Sequence, residues 1–290
     1  MDDYEDRIYL WDLDTGKRIG APLRVDAQVD TLAVGHRRDG TPIFVAGDWD
    51  GAVQIWDPNT GEPVGKAIDT GAEYVEAVAV GKRSDGRGVI VSGDSNNMVH
   101  IWDMETQREL SKPLKGHADY VEALATGQRS NGTKVIVSGS YDHTLRIWNL
   151  DTGRQLGRPL RGHTAEVLAV RIGKQSDGTR VIVSGSSDGT VRVWDLDSGT
   201  LIGKPLRGHN DLVMSVALGR SCDGTRVIVS SSGDKTIRVW NLDTGKLLRV
   251  LRGHTDPVWT VAIGQRRDGA RVILSSGYDA SMRLWGLGPY

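Results

Sequence analysis

One cysteine, one phenylalanine and no dominant charge set the first limits on this chain of 290 residues. The lone Cys222 excludes an intrachain disulfide framework and fits a reducing compartment. With 36 basic residues against 37 acidic ones the net charge is -1, which argues against a nucleic-acid backbone or an anionic membrane as the main partner. No apolar run approaches the ~18 residues of a membrane span. The opening MDDYEDRIYL is acidic and lacks a basic stretch followed by an apolar core, so it does not read as a signal peptide. The expectation is a soluble, cytoplasmic protein. Walker and dinucleotide glycine motifs are missing, which implies no nucleotide cofactor. The turns GDWDG and DLDTG resemble fragments of calcium loops but lack the full frame, so they read as turns and no metal site is expected.

What the chain has is a beat of tryptophan. Trp11, Trp56, Trp102, Trp148, Trp194, Trp240 and Trp285 follow one another at steps of 45 or 46 residues, each closing a segment such as TVRVWD or TIRVWN. The repeat runs from end to end without a break in composition, so residues 1–290 read as one domain. Residues 162–207 serve as the type unit. VLAVRIG alternates like a half-buried strand, VIVSGS is a β-branched run buried on both faces, and TVRVWD is a third strand. LIGKPLR is a more polar fourth, where Pro205 suits an edge. The separators SDGT, SSDG and DLDSG are Asp/Gly turn chemistry. Four antiparallel strands graded from apolar to polar describe the blade of an all-β propeller. Along the chain the four strand types occur six, six, seven and six times.

Four units share one constellation. It comprises His117, Ser138, Asp142 and Trp148; His163, Ser184, Asp188 and Trp194; His209, Ser230, Asp234 and Trp240; and His254, Ser275, Asp279 and Trp285. By this pattern the whole chain resembles the WD40-repeat family. The resemblance implies a β-propeller of four-stranded blades that docks proteins or peptides, with each constellation a hydrogen-bonded relay inside one blade. A buried imidazole and a buried indole N–H need partners, which a hydroxyl and a carboxylate supply. Two units depart from the pattern. Gly71 and Asn96 stand in the His and Asp slots of the second, and Val25 and Ala46 in the His and Ser slots of the first. Those two units are expected to be held by packing alone and to be the softer part.

His, Ser and Asp together invite a hydrolase reading. The trio recurs four times at one spacing, each time with a tryptophan to take the last hydrogen bond, whereas a catalytic site is singular. No catalytic residue is assigned. The histidines belong to separate units and make poor metal-ligand partners, and the third-strand arginines Arg146, Arg192, Arg238 and Arg283 read as structural.

The informative positions are those that the repeat leaves free. Three residues past the His slot stand Gln28, Tyr74, Tyr120, Glu166, Leu212 and Pro257. Five past it stand Asp30, Glu76, Glu122, Leu168, Met214 and Trp259. Just before the Asp slot stand Trp49, Ser95, Tyr141, Ser187, Gly233 and Tyr278. In WD40 proteins the matching positions contact partners. The two tryptophans off the beat, Trp49 and Trp259, both fall in this set, and aromatic anchors mark protein-binding surfaces. Asp30, Glu76 and Glu122 accompany Trp49, Tyr74, Tyr120 and Tyr141; later units offer Leu168, Leu212, Met214, Trp259 and Tyr278. The expected partner is a protein segment with a basic residue and an apolar anchor.

The resulting reading is a non-enzymatic scaffold for protein interaction. Alternatives are a regulatory or sensor propeller cut from a larger kinase or NTPase, and an enzyme with its site at the ring mouth, which the uniformly short loops disfavour. The strand count suggests a seven-bladed parent with an incomplete first blade; six closed blades plus an extra N-terminal strand is the alternative. An incomplete blade could recruit a strand from another chain and so form an oligomer.

Overall fold

Alternating β-branched and small residues, punctuated by Asp/Gly turns, leave little in this chain that favours a helix. The computed structural model describes residues 7–25 and 27–289, and among the described residues it contains strands and turns but no helix. The chain divides into two compact units. The first comprises residues 1–128, 132–142 and 146–156; the second comprises 129–131, 143–145 and 157–290.

In the first unit, β1 (Arg7–Trp11) pairs with β2 (Arg18–Arg24). A four-stranded sheet follows, made of β3 (Val29–His36), β4 (Pro42–Asp48), β5 (Ala52–Trp56) and β6 (Ile68–Asp69). The next has β7 (Val75–Lys82), β8 (Gly88–Asp94), β9 (Met98–Asp103) and β10 (Leu114–Lys115). β11 (Ala123–Gln128), β12 (Lys134–Gly139) and β13 (Leu145–Asn149) form a third sheet, whose last strand begins one residue outside the unit.

The second unit repeats the plan. It has β14 (Val167–Lys174), β15 (Arg180–Ser186) and β16 (Val191–Asp195), then β17 (Val213–Arg220), β18 (Arg226–Ser232), β19 (Thr236–Asn241) and β20 (Leu247–Arg252), and finally β21 (Val258–Gln265), β22 (Arg271–Gly277) and β23 (Met282–Gly286). Neighbouring strands run antiparallel in chain order.

The second strand of each sheet carries most of the core. Val181, Ile182 and Val183 of β15 are fully buried, and each such side chain contributes about 1.5–3 kcal/mol by leaving water. Sheets stack face on face. Val181, Val183, Val191 and Val193 pack against Val213, Val216, Ile228 and Trp240 of the next sheet. The glycine of the VSG triplet permits that approach, since a Cβ on Gly185 would stand 2.7 Å from Val213 Cγ1.

The fourth strands differ from expectation. Among the described residues only β2, β6, β10 and β20 form, two of them just two residues long. In the others the pairing shrinks to single bridges, Trp148↔Gln155, Val191↔Leu206 and Trp194↔Leu201. Gly65 and Gly203 sit at φ of 74° and 68° and turn the chain in mid-run, and Pro205 offers no N–H. These residue types do not by themselves end a strand, since RIGAPLR has Gly20 at φ of 65° and Pro22 and still runs as β2, with an irregular register against β1. LLRVLR has neither residue and runs as the continuous β20.

Some sheet faces are open among the described residues. Ile237 and Val239 of β19 are buried by the following sheet, whereas their counterparts on β23, Met282 and Leu284, are 60% and 41% exposed. On the β1–β2 pair, Tyr9, Trp11 and Ile19 are exposed in the same way.

Candidate protein-binding surface

Four hydrogen-bonded relays run through the sheets. In the second unit, His163 Nδ1 lies 2.9 Å from Asp188 Oδ2 and its Nε2 lies 2.8 Å from Ser184 Oγ, which accepts the Trp194 indole N–H at 2.9 Å. The His117, His209 and His254 sets repeat these contacts between 2.7 and 3.0 Å. Burial holds His163 below the usual histidine value against the pull of Asp188. Burial acts to raise Asp188, but the bonds from His163 and Thr190 outweigh it and keep the carboxyl well below the usual range. The relay is therefore a neutral imidazole on an ionised carboxylate. Indole N–H, serine O–H and imidazole N–H all donate in one direction. Ser138, Ser184 and Ser230 are fully buried.

The arginines of the third strands close the relays from outside. A Cβ on Gly162 would meet Arg192 Nη1 at 2.8 Å and the Trp194 ring edge at 3.1 Å, and Gly208 is covered likewise by Arg238 and Trp240. This explains the Gly-His dipeptide.

The second sequence unit corrects the expectation of packing alone. Trp102 still donates to Ser92 Oγ at 2.9 Å. His100 stands where the other units have arginine. Its Nε2 lies 2.9 Å from Asp94 Oδ2 and its Nδ1 2.8 Å from Glu109 Oε1, with the ring stacked on Trp102 at 5.3 Å. Burial acts to lower His100, but the bonds to Asp94 and Glu109 outweigh it and hold the ring above the usual histidine value. A substitute relay thus replaces the missing one. Its only trace in the sequence is a histidine in the arginine slot, with acidic residues six before and nine after it.

The free positions of the repeat come together on one plan. Asp30, Glu76, Leu168, Met214 and Trp259 each occupy a β-bulge in the first strand of a sheet, where the register skips them. A bulge re-aims the extra side chain out of the pleat. Glu122, just ahead of β11, holds the equivalent place, with its N–H donating to Gly139 O at 3.1 Å. The other two positions are tied by the backbone. The N–H of Trp49, Ser95, Tyr141, Ser187, Gly233 and Tyr278 donates to the carbonyl of Gln28, Tyr74, Tyr120, Glu166, Leu212 and Pro257 respectively, at 2.9–3.1 Å in all six.

In the first unit this frame groups acids and aromatic rings. Trp49 meets Tyr74 edge-on at 6.0 Å, and Tyr120 stacks on Tyr141 at 5.8 Å. Burial raises Asp30, while a hydrogen bond from Trp49 opposes it. Burial raises Glu76, aided by the charge of Asp30. Glu122 is pushed up to about 9 by burial and by the charges of Glu76 and Asp30. The three carboxyls therefore feel one another, and Glu122 holds its proton at neutral pH. In the second unit, Trp259 meets Tyr278 edge-on at 5.3 Å, and both are largely exposed. Leu168, Leu212 and Met214 are half-buried.

Comparison with known proteins follows the same lines. No curated protein sequence matches the chain. Among solved structures, the computationally designed Ika8 protein is similar over 97% of this chain and 78% of its own, at 29% identity and a TM-score of 0.72. Residues 108–149, 154–195, 199–241 and 245–286 match the family described as WD domain, G-beta repeat. Each stretch contains the Ser, Asp and Trp of one relay, and together they cover more than half of the chain: it belongs to the WD40-repeat family.

Proposed function

We propose that this WD40 protein is a non-catalytic docking scaffold that binds a protein segment through its bulge residues and the aromatic side chains beside them. WD40 repeats are in general protein-interaction scaffolds. The observation that carries the reading here is the coupling of Asp30, Glu76 and Glu122 beside Trp49 and Tyr74. Clustered carboxyls that repel one another gain most when a cation joins them. A lysine or arginine of the partner fits the first unit, with the rings adding cation–π attraction. In the second unit Trp259, Tyr278, Leu168 and Met214 suit an apolar side chain. Residues 1–290 are read as one propeller domain on a seven-bladed plan, one blade for each third strand.

The test is a fluorescence-polarisation screen of peptides that carry one basic and one apolar anchor. The wild type selects them over versions with the basic residue changed to Asp. Glu76→Lys with Glu122→Lys abolishes binding, and the gentler Asp30→Asn with Glu76→Gln weakens it at least tenfold. Unchanged affinity in the gentler pair overturns the reading.

Assembly with another chain is a second reading, favoured by the exposed face of Met282 and Leu284.

A further inference from the structure

The first sequence unit lost its relay histidine and serine, and neither loss is refilled. In the relays, the indole N–H is 2.9 Å from a serine hydroxyl. Trp56 occupies the same register, paired with Phe44, and Ala46 stands across from Gln54 as Ser92 does from His100. A methyl group therefore faces the indole. Trp56 is 4% exposed, and among the described residues its N–H has no hydrogen-bond partner.

The space beside it is open. A cavity of about 640 Å³ is lined by Val25, Ala46, Asp48, Gln54 and Trp56, together with the β2 and fourth-run residues around them. The equivalent groove in the second unit, about 450 Å³, has Trp240 in its lining but does not reach His209 or Ser230, which fill the corresponding interior. The lining in the first unit includes Val25 and Ala46, the residues in the His and Ser slots.

A second polar group waits there. Asp48 Oδ1 accepts the N–H groups of Asp50 and Ala52 at 3.0 and 2.8 Å. Asp94, its counterpart in the next unit, accepts the same kind of backbone bonds and offers its Oδ2 to the imidazole of His100. In the first unit Gln54 replaces that histidine and turns its amide to the Ile55 carbonyl at 2.9 Å. Among the described residues, Asp48 Oδ2 has no partner of its own.

We propose that this cavity is a binding site for a compact azole of the imidazole class. Such a ring is flat enough for the vacated space. It carries a nitrogen to accept from the Trp56 indole and an N–H to donate to Asp48 Oδ2, two groups with no hydrogen-bond partner of their own among the described residues. The ring arrives as a free molecule or as a histidine side chain of a partner.

The test follows the indole resonances of the folded full chain by NMR during titration with imidazole. Trp56→Phe assigns the signal. The Trp56 resonance shifts saturably, in the millimolar range expected of so small a ligand. N-methylimidazole, which keeps the acceptor and loses the donor, binds at least tenfold more weakly. Toluene leaves the signal unmoved. Val25→His with Ala46→Ser rebuilds the relay, fills the cavity and removes the response, while the other indole signals report an intact fold. Acetyl-histidine methylamide separates the two sources of the ring by binding only if the site admits a polypeptide side chain. A non-saturating shift, equal affinity for N-methylimidazole, or an equal response to toluene overturns the proposal. The wild-type comparisons stand even if the double variant does not fold.

Discussion

Glu122 is the residue on the candidate surface whose protonation departs furthest from the ordinary. Its folded value of about 9 lies above that of an unfolded glutamate. The native state therefore holds a proton that the unfolded state releases, and stability falls as pH rises from about 4.5 towards 9. Glu122→Gln removes this term. It stabilises the protein by about 1–3 kcal/mol at pH 7–8 and flattens the slope across that window, as urea denaturation at pH 5, 7 and 9 checks. His100 works in the opposite sense. Its folded value is raised, so its contribution is complete below about pH 6.5 and fades as pH climbs through the folded value. His100→Gln leaves Asp94 and Glu109 facing a neutral amide. It costs about 2–4 kcal/mol at pH 6 and clearly less at pH 9, a difference that paired thermal melts resolve.

At the scale of strands and sheets, the relays rank the repeats. The β14–β15–β16 and β17–β18–β19–β20 sheets each have a full relay, the β7–β8–β9–β10 sheet has the His100 substitute, and the β3–β4–β5–β6 sheet has neither. Amide exchange followed by mass spectrometry is expected to open β3–β6 first, β7–β10 next and β14–β20 last. Equal protection throughout contradicts this order. The same elements explain what the sequence discloses. First, second and third strands are legible because β-branched alternation and a closing tryptophan recur with little drift, and the relays because four residue types keep a fixed spacing. The fourth strands are not, since runs of like composition differ in outcome: RIGAPLR forms β2, whereas LIGKPLR keeps only single bridges at Leu201 and Leu206. The bulges under Glu76 and Met214 leave no mark on residue identity, because any side chain fits a bulge. The His100 relay stays hidden because a lone histidine in an arginine slot looks like drift.

For the whole molecule, near-zero net charge leaves surface chemistry to local patches rather than to an overall field. One such local feature outside the candidate surface is the open face at Met282 and Leu284, whose counterparts on β19, Ile237 and Val239, are buried. If a second chain covers it, sedimentation velocity shows association that rises with concentration, and Met282→Glu with Leu284→Glu leaves a monomer. A monomer at every concentration in the wild type rules that assembly out.

The six backbone bonds that join the free positions in pairs are indifferent to what those positions carry. Gln28 with Trp49, Leu212 with Gly233 and Pro257 with Tyr278 make the same bond at nearly the same length. The frame is thereby uncoupled from what it presents: these six main-chain bonds form whatever side chains stand at the paired positions, which on the proposed reading meet a partner. On that reading, exchanging one of these paired side chains leaves the bond beneath it in place.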